Sequence, residues 1–287
     1  MGTTWTAGLA PWYAAHGRHD LPWRQTQDPW AVLVSEVMLQ QTQVNRVIPY
    51  WLDFIGRWPD PAGFAAAPVT EVLRAWQGLG YPRRAVALHD SAALVAAAGW
   101  PADEAGLRVL PGVGRYTARA LLTLALGGSS PPPLDVNIAR VAARAGAGRE
   151  REEMPDSALE QLIAEAKPRS LDRRRYTFAL FDAGALHCRA RPRCDGCPLL
   201  RQCGWRRTAR TGVTTGSARR PTVPYPASMR RLRGVLLAAA LRDGGDLTAE
   251  AARAAAAAVA ATLPPARDAA LIDDAVASLR ADRLICR

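Results

Sequence analysis

Apolar residues recur at helical spacing along most of this chain, and alternating strand-like patterns are few. Between residues 28 and 51, for example, Leu33, Val37, Val44 and Val47 follow the repeat of one helix face. Similar repeats cover 70–77, 84–97, 116–126, 137–145, 157–166 and 174–186, and further along 229–241, 248–262 and 268–280. Gly and Pro occupy the breaks between several of these stretches. The sequence therefore predicts an all-α fold.

The chain of 287 residues is strongly basic, with a formal net charge of +11. Such a charge favours a polyanionic partner. No apolar run reaches the roughly 18 residues that a membrane span needs. The segment Met1–Trp12 also lacks the basic and apolar regions of a signal peptide. We therefore expect a cytoplasmic, monomeric protein without a membrane partner.

Four of the five cysteines lie in one short segment with the spacing Cys188-x5-Cys194-x2-Cys197-x5-Cys203. In a cytosolic protein, such a cluster indicates a metal site rather than a set of disulfides. All-thiolate ligation suits either a zinc ion or an iron–sulfur cluster. Structural zinc sites more often show two Cys-x2-Cys pairs, whereas this segment has one.

Two glycines, Gly112 and Gly114, allow a tight turn in the segment LPGVG before the helical stretch that follows. A glycine turn before a helix N-terminus suits a phosphate group, although a plain helix–helix connection explains it about as well. Asp135 lies directly before the next helical stretch, where an N-cap aspartate is common. Capping would fix the position of its carboxylate.

Three polar side chains, Glu36, Gln40 and Gln43, fall on one face of the first helical stretch. Glu36 borders the apolar positions of that stretch. Partial burial there would raise the pKa of its carboxyl group and hold a proton near neutral pH. A solvated surface glutamate is the alternative.

Several longer segments carry a family resemblance. LPGVGRYTARALLTLALG and PPPLDVNIARVAAR together resemble the helix-hairpin-helix DNA glycosylases of the endonuclease III superfamily. LPWR (Leu21–Arg24), SEVMLQQTQV and WQGLGYPRRA resemble the adenine DNA glycosylases of that superfamily, the MutY family. The resemblance covers about residues 20–205, most of the chain.

This resemblance implies a helix-hairpin-helix glycosylase fold of several domains. We expect a six-helix barrel with the hairpin over residues 28–133 and an iron–sulfur cluster domain over 1–27 and 134–205. Residues 206–228 have the composition of a basic linker. The helical patterns of 229–287 suggest a small winged-helix-like module.

The resemblance also implies roles for individual residues. The family's glutamate at Glu36 protonates the adenine, and its aspartate at Asp135 stabilises the positive charge that develops on the sugar. Tyr116 would support the site and Asn137 would orient the aspartate. The implied substrate- or DNA-binding residues are Arg24, Gln40, Gln41, Thr42, Leu79, Tyr81, Gly112, Gly114 and Asp182. Within that set, Gln41, Thr42, Leu79 and Tyr81 would wedge into the duplex around the opposing base.

The four clustered cysteines, Cys188, Cys194, Cys197 and Cys203, would then hold a 4Fe-4S cluster. The first spacing is one residue shorter than the usual family pattern. The implied role of the cluster is structural, because it would hold a basic loop against the DNA backbone.

The implied activity is that of a base-excision-repair DNA glycosylase. It would flip adenine, mispaired with 8-oxoguanine or guanine, out of double-stranded DNA and hydrolyse its N-glycosidic bond. Bifunctional relatives carry a catalytic lysine where this chain has Tyr116, and the single lysine, Lys167, lies outside every motif. We therefore expect a monofunctional enzyme that leaves an abasic site.

Two other functions compete with this one. A thymine glycosylase acting on T·G mismatches would share the tyrosine and the cysteines, but the segment Gln40-Gln41-Thr42 favours adenine. A non-catalytic DNA-binding iron–sulfur protein is the alternative from another class, and the joint presence of Glu36, Tyr116 and Asp135 argues against it.

Two departures from the family leave questions open. Phe178 stands where family members have a glutamine that touches adenine. A third possible function is therefore that of a specialised paralogue that acts on a different DNA lesion. Residues 229–287 are too few for the Nudix-like domain that inspects 8-oxoguanine in many relatives. Discrimination for 8-oxoguanine would then be weaker, or would rest on the core and this tail.

Overall fold

A computed structural model describes residues 4–128, 130–208 and 228–286. Every regular element in these ranges is a helix, and none of them is a β-strand, so the all-α prediction is confirmed. The helices are α1 (Leu9–His16), α2 (Pro29–Leu39), α3 (Val44–Arg57), α4 (Pro61–Ala66), α5 (Val69–Trp76), α6 (Arg83–Ala98), α7 (Glu104–Leu107), α8 (Arg115–Leu121), α9 (Val136–Val141), α10 (Asp156–Glu165), α11 (Arg173–Leu186), α12 (Gly204–Arg207), α13 (Met229–Arg242), α14 (Ala249–Ala257) and α15 (Ala269–Ala281). None of them combines the length and the apolar character that a bilayer crossing requires.

The chain divides into two compact units. The first comprises Met1–Glu36 and Trp100–Ala218, and the second comprises Val37–Gly99 and Arg219–Arg287. This division differs from the predicted bounds of a barrel at 28–133 and a cluster domain at 1–27 and 134–205. Those functional domains stay a prediction. Most of the predicted linker lies outside the described residues.

The first unit is built around α11, against which α1 and α9 pack. Its core includes the fully buried Leu121, Ile138 and Leu180. Both α8 and α9 continue without a break into π-helical turns, Leu122–Leu126 and Ala142–Ala147. Such wide turns inside helices are uncommon and often occur at functional sites.

The second unit contains an aromatic core. The ring of Phe54 lies within 5.0–5.8 Å of the rings of Trp58, Phe64 and Trp76, measured between centroids. Rings at this separation contribute favourable edge-to-face contacts in addition to their burial. Helices α4 and α6 pack against each other around this cluster.

The C-terminal module of the second unit, residues 228–286, consists of α13, α14 and α15 with one short 3-10 turn. Leu232, Leu236 and Leu279 form part of its buried core. Its described residues include no strand. The winged-helix-like assignment of this module stays a prediction.

The first predicted helical stretch, 28–51, is interrupted in the structure. Helix α2 ends at Leu39 and α3 begins at Val44, with Gln41 in the left-handed backbone region at φ 57°. Gln40 and Gln43 therefore do not extend the helix face that carries Glu36, which corrects that expectation. The periodicity missed this break because the residues on either side of it keep an apolar spacing.

Candidate active site

Asp135 is the N-cap residue of α9, and its carboxylate is held by three donors. One oxygen accepts from the backbone N–H groups of Asn137 and Ile138, at 3.0 and 2.6 Å. The other oxygen accepts from the side-chain amide of Asn137 at 2.8 Å. Burial raises the pKa of Asp135 above its ordinary value, and these hydrogen bonds and the nearby Arg140 offset that rise only in part. The donors thus favour the ionised form against the effect of burial.

A chain of hydrogen bonds continues from Asp135 to the cysteine segment. The amide oxygen of Asn137 accepts from Arg140 at 2.7 Å, and the Nε of Arg140 donates to the carbonyl of Cys188. A second guanidinium, that of Arg144, donates to the carbonyl of Arg189 at 2.7 Å. Two arginines of the helix that follows Asp135 therefore hold the start of the cysteine segment.

Gly184 in α11 allows α9 to approach closely at this point. A Cβ atom at Gly184 would lie 2.7 Å from the Cβ of Asn137 and 3.1 Å from its backbone carbonyl atoms. A Cβ atom essentially never comes as close as 2.7 Å to a non-bonded atom, and the Cβ of Asn137 cannot rotate away, so α9 or α11 would have to shift. The residue type at position 184 therefore controls the distance between α11 and the helix that Asp135 caps.

We expect Gly184→Ala to lower the free energy of unfolding by about 1–3 kcal/mol, because α9 and α11 must move apart. Denaturant unfolding would measure the change. Gly56→Ala is the matched control, since Gly56 lies within α3 and a Cβ there meets nothing within 4 Å. That variant should gain about 0.5–1 kcal/mol from reduced chain entropy. Equal effects at both positions would contradict the close-approach argument.

Glu36 is buried in α2, with a relative exposure of 7%. The pKa of its carboxyl group is raised to about 7, chiefly by burial. The negative charge of Asp135 also raises it, whereas the hydrogen bond with Tyr116 and the charge of Arg24 lower it. Glu36 therefore carries a proton in a large fraction of molecules near neutral pH. The expected burial of this carboxyl is what the structure shows.

Tyr116 lies close enough to both carboxyl groups to feel their charges. It is the second residue of α8, and its hydroxyl forms a hydrogen bond with Glu36. Burial raises its pKa well above the ordinary value, and the charges of Glu36 and Asp135 raise it further. The phenol is therefore a neutral hydrogen-bonding group. Two acids with different surroundings and one neutral hydroxyl are thus gathered within the first unit.

The glycine turn lies directly before α8. Gly112 adopts the left-handed region at φ 77°, Gly114 is extended, and both are exposed. The helix that follows is anchored by Arg119, whose guanidinium bonds Glu104 and Glu160 at 2.8 and 2.6 Å. The structure therefore contains the predicted turn. Its contact with a DNA phosphate stays a prediction.

Asp182 is fully buried and forms ion pairs with two arginines. Arg24 contributes two hydrogen bonds at 2.7 and 2.9 Å, and Arg18 contributes one from its side chain at 2.6 Å and one from its backbone at 2.9 Å. The guanidinium of Arg24 also lies 4.5 Å from the ring centroid of Phe178. These contacts lower the pKa of Asp182 against the effect of burial. Asp182 thus orients Arg24, and its direct contact with a base stays a prediction.

The predicted wedge residues lie in two loops of the second unit. Gln41 and Thr42 follow α2, whereas Leu79 and Tyr81 precede α6. Gln40, predicted to bind substrate or DNA, lies in the first of these loops. The hydroxyl of Thr42 donates to the carbonyl of Leu79 at 3.4 Å, so the two loops touch each other. Leu79 is buried, and Tyr81 is exposed at a positive φ of 48°.

Arg84, which the sequence did not single out, holds these two loops together. One nitrogen of its guanidinium donates to the carbonyls of Val37, Met38 and Gln40 at 2.8, 3.2 and 2.6 Å. The other donates to the carbonyls of Leu79 and Gly80 at 3.1 and 3.0 Å. The planar fork of arginine suits such divergent acceptors, and a lysine ammonium does not.

Arg84→Lys keeps the charge and removes the fork. We expect it to lower the free energy of unfolding by about 2–3 kcal/mol, because several charge-assisted hydrogen bonds are lost. Amide hydrogen exchange should accelerate most in residues 40–43 and 78–81. Arg57→Lys, at an exposed helix position beside Asp53, is the control and should change neither quantity. Unchanged exchange in the two loops of the Arg84 variant would contradict this role.

All four clustered cysteines line one small cavity of the first unit. Their thiols are half-buried, and none is in a disulfide. Arg144, Arg193 and Arg206 line the same cavity. The predicted ligand set is therefore gathered at one place, although no group of three or more such side chains in the described ranges is spaced to hold a single metal ion.

Sequence reasoning missed several residues that position the predicted ones. Arg18, Arg84, Arg140 and Gly184 each act through contacts with residues distant in sequence. Almost all the basic residues of this chain are arginine, so the residue type alone does not show which arginines position other residues. The quoted segment WQGLGYPRRA contained Arg84 but offered nothing to separate it from Arg83.

The chain was compared with known protein families and relatives. Residues 34–168 match the HhH-GPD superfamily of base excision DNA repair proteins. The chain is 43% identical over 235 residues to an adenine DNA glycosylase of Mycolicibacterium smegmatis, an alignment that covers 80% of this chain and 78% of the relative. It is also 35% identical over 205 residues to a thymine/uracil-DNA glycosylase of Pyrobaculum aerophilum, covering 69% and 89%.

The fold is also similar to that of a solved structure. A thermostable thymine-DNA glycosylase superposes with a TM-score of 0.62 at 25% sequence identity, covering 71% of this chain and 95% of that one. Sequence and structure thus agree on one group of DNA-repair proteins.

Proposed function

Because this chain belongs to the adenine DNA glycosylases of the HhH-GPD base excision DNA repair superfamily, we propose that it hydrolyses the N-glycosidic bond of adenine mispaired with 8-oxoguanine or guanine. The observation that carries the proposed chemistry is the pair of carboxyl groups, Glu36 and Asp135, that lie near Tyr116 and differ in their surroundings. Glu36 is buried with a pKa of about 7, whereas Asp135 accepts three hydrogen bonds that favour its ionised form.

Glu36 acts as the general acid in this proposal. Adenine leaves poorly as an anion, so a ring nitrogen must gain a proton as the glycosidic bond breaks. The bonding electron pair then stays with the base, and Glu36 is left as a carboxylate. A pKa near the working pH keeps the acid both protonated and able to release its proton.

Asp135 stabilises the positive charge that develops on the sugar when the base departs. A carboxylate held by fixed donors needs no reorganisation during the reaction, which is the basis of electrostatic stabilisation. Asn137 supplies two of the three donors and acts as a positioning residue. Water then adds to the sugar carbon, its proton passes to the carboxylate that Glu36 has become, and an abasic site remains.

The enzyme acts without a lyase step in this proposal. A Schiff base needs a free lysine amine beside the sugar. The single lysine, Lys167, donates to the carbonyls of Pro168 and Leu171 at the end of α10. Tyr116 occupies the position of the catalytic lysine in bifunctional relatives, and the phenol cannot form an imine.

Cys188, Cys194, Cys197 and Cys203 would hold a 4Fe-4S cluster, which supplies a rigid link across the basic loop. The four sulfurs face one cavity but do not meet the spacing of a single-ion site. Structural zinc sites more often show two Cys-x2-Cys pairs, whereas this segment has one, so the spacing favours the cluster over zinc. The arginines that line the cavity would balance the charge of the thiolates.

An absorption spectrum tests this assignment. Protein purified under nitrogen should absorb broadly in the visible range, and iron and sulfide should each approach about four per chain. A colourless protein with one zinc per chain would overturn it. Cys286→Ser is the matched control, since Cys286 is exposed and lies outside the cavity, and it should leave the spectrum unchanged.

The enzyme binds DNA, and we infer that a mispaired adenine in double-stranded DNA is its target. Gln41, Thr42 and Tyr81 would enter the duplex around the opposing base. Leu79 is buried, so its loop would have to expose it before it could join them. The net charge of +11 supports attraction to the phosphate backbone. A monomer suffices, because Glu36, Tyr116 and Asp135 all come from one chain. We also propose that the enzyme works in the cytoplasm, on the DNA of the nucleoid.

A panel of duplexes tests the proposed substrate. Single-turnover incubation with adenine opposite 8-oxoguanine, guanine, cytosine or thymine, followed by alkaline cleavage of abasic sites, measures base release. We expect cleavage with the first two duplexes. The second candidate function is thymine release. It is suggested by the similarity to the thymine/uracil-DNA glycosylase of Pyrobaculum aerophilum and to the solved thymine-DNA glycosylase. A T·G duplex in the same panel tests it. Cleavage of the T·G duplex alone would show that the enzyme releases thymine and would refute the proposed adenine substrate.

A further inference from the structure

Tyr81 is held in an unusual conformation at the edge of the second unit. It follows Gly80 and has a positive φ of 48°, which a bulky side chain rarely adopts. Its ring remains 40% exposed. The guanidinium of Arg84 lies 5.4 Å from the centroid of the Tyr81 ring. The ring is thus presented to solvent by a loop that Arg84 anchors.

A second guanidinium reaches the same ring from the C-terminal module. Arg230, the second residue of α13, lies 5.1 Å from the ring centroid of Tyr81. Arg230 is exposed, and it forms no ion pair with the described residues. Its neighbour Arg233, in contrast, is engaged by Asp282 and Ser278. Toward the residues that the structure describes, Arg230 therefore keeps its hydrogen-bond donors available.

The position of Arg230 is set by contacts between the module and the helices on either side of Tyr81. Arg74 of α5 donates to the carbonyl of Leu241 at 2.9 Å. Arg83 of α6 lies 3.4 Å from Asp282. These bonds hold α13 and α15 against α5 and α6, so Arg230 is delivered to Tyr81 by a docked element.

A third contact comes from the end of the module. Arg283 bonds Asp90 of α6 at 2.8 Å, and a Cβ at Gly245 would meet the side chain of Thr70 at 2.6 Å. The module therefore touches the helices that flank Tyr81 at four separate places. Such a docked element can add a residue to the surface that Tyr81 belongs to.

We propose that the C-terminal module adds Arg230 to the DNA-binding surface at Tyr81, where its guanidinium binds a backbone phosphate of the duplex. This inference rests on the proposed function. The ring holds the guanidinium by a cation–π contact. The fork of N–H groups at its edge stays free for a phosphate, which it can bind in bidentate geometry. Restricting the side chain beforehand lowers the entropy cost of binding.

Salt-dependent binding to a fully matched duplex tests this role without requiring catalysis. A protein that loses one phosphate contact loses about one unit from the slope of log Kd against log salt. We expect Arg230→Ala to show this change between about 50 and about 200 mM salt. Arg230→Lys should keep much of the slope, because the charge remains near the phosphate.

Arg253→Ala is the matched control, because Arg253 is an exposed arginine on α14 of the same module. Its loss removes the same charge and should leave the slope unchanged. An unchanged slope in the Arg230→Ala protein, or an equal loss in the Arg253→Ala protein, would overturn the proposal. If the Arg230→Ala protein kept the parental slope and lost affinity for one mispair only, Arg230 would be a base contact and not a phosphate contact.

A double-variant cycle tests whether Tyr81 positions Arg230. Tyr81→Phe retains the ring, and Arg230→Ala should weaken binding as much in that background as in the parent. Tyr81→Asn removes the ring while tolerating the positive φ, and the effect of Arg230→Ala should shrink there. The duplex panel reports adenine release separately. A protein that releases no adenine but shows the slope change would refute the proposed function and leave this contact in place.

Discussion

Asp135→Asn should slow single-turnover adenine release by on the order of 10³-fold, while duplex binding stays close to that of the parent protein. Asparagine keeps an oxygen that can accept from the backbone N–H of Ile138, so the cap of α9 survives. What is lost is the negative charge beside the developing cation on the sugar. Rapid-quench kinetics and binding to the same duplex would separate the two effects.

The control for this change is Asp172→Asn. Asp172 caps α11 and accepts from the N–H of Arg175 at 2.7 Å, so the chemical change at the helix start is the same. Asp172 is exposed and has no part in the proposed chemistry. Its variant should release adenine at the parental rate. If Asp135→Asn did the same, the electrostatic role of Asp135 would be refuted.

Glu36→Gln should lower the rate of adenine release at neutral pH by about 10²–10⁴-fold, because an amide cannot supply the proton. The pH profile should change as well. In the parent protein, the protonated form of Glu36 is active, so the rate falls as pH rises through about 7. The variant lacks this titrating group, and its residual rate should be flat over that range.

Folding stability offers an independent check on Glu36. Its pKa is raised from 4.5 in the unfolded reference to about 7 in the fold. The protonated form therefore stabilises the fold fully below the unfolded value, and that contribution is lost as pH rises to about 7. The loss corresponds to about 3 kcal/mol. Glu36→Gln should not show this loss, whereas Glu71→Gln, at an exposed position in α5, should behave like the parent. A parental pH dependence in the Glu36 variant would contradict the burial argument.

Much of the proposed site follows from short-range sequence patterns. The N-cap role of Asp135 depends on its position immediately before a helix, and the structure contains that cap. The turn before α8 depends on glycine, and Gly112 takes the positive φ that the residue type allows. The four cysteines were expected together because their spacing places them in one segment, and they line one cavity.

Other features depend on contacts that no local pattern contains. The end of α2 at Leu39 is stabilised by Arg84, which donates to carbonyls more than forty residues away in sequence. Gly184 was not marked as special, because nothing near it in sequence requires a glycine. Its importance comes from Asn137 lying 2.7 Å from where a Cβ would be.

The sequence by itself determined the helical class and the family, and it singled out Glu36, Asp135 and the four clustered cysteines, because these depend on residue type and spacing along the chain. Only the tertiary structure decided the pKa of Glu36, the engagement of Asp182 by Arg18 and Arg24, and the arrival of Arg230 at Tyr81. Burial and charge–charge interactions act through space. Residues far apart in the chain therefore set them, and packing alone brings those residues together.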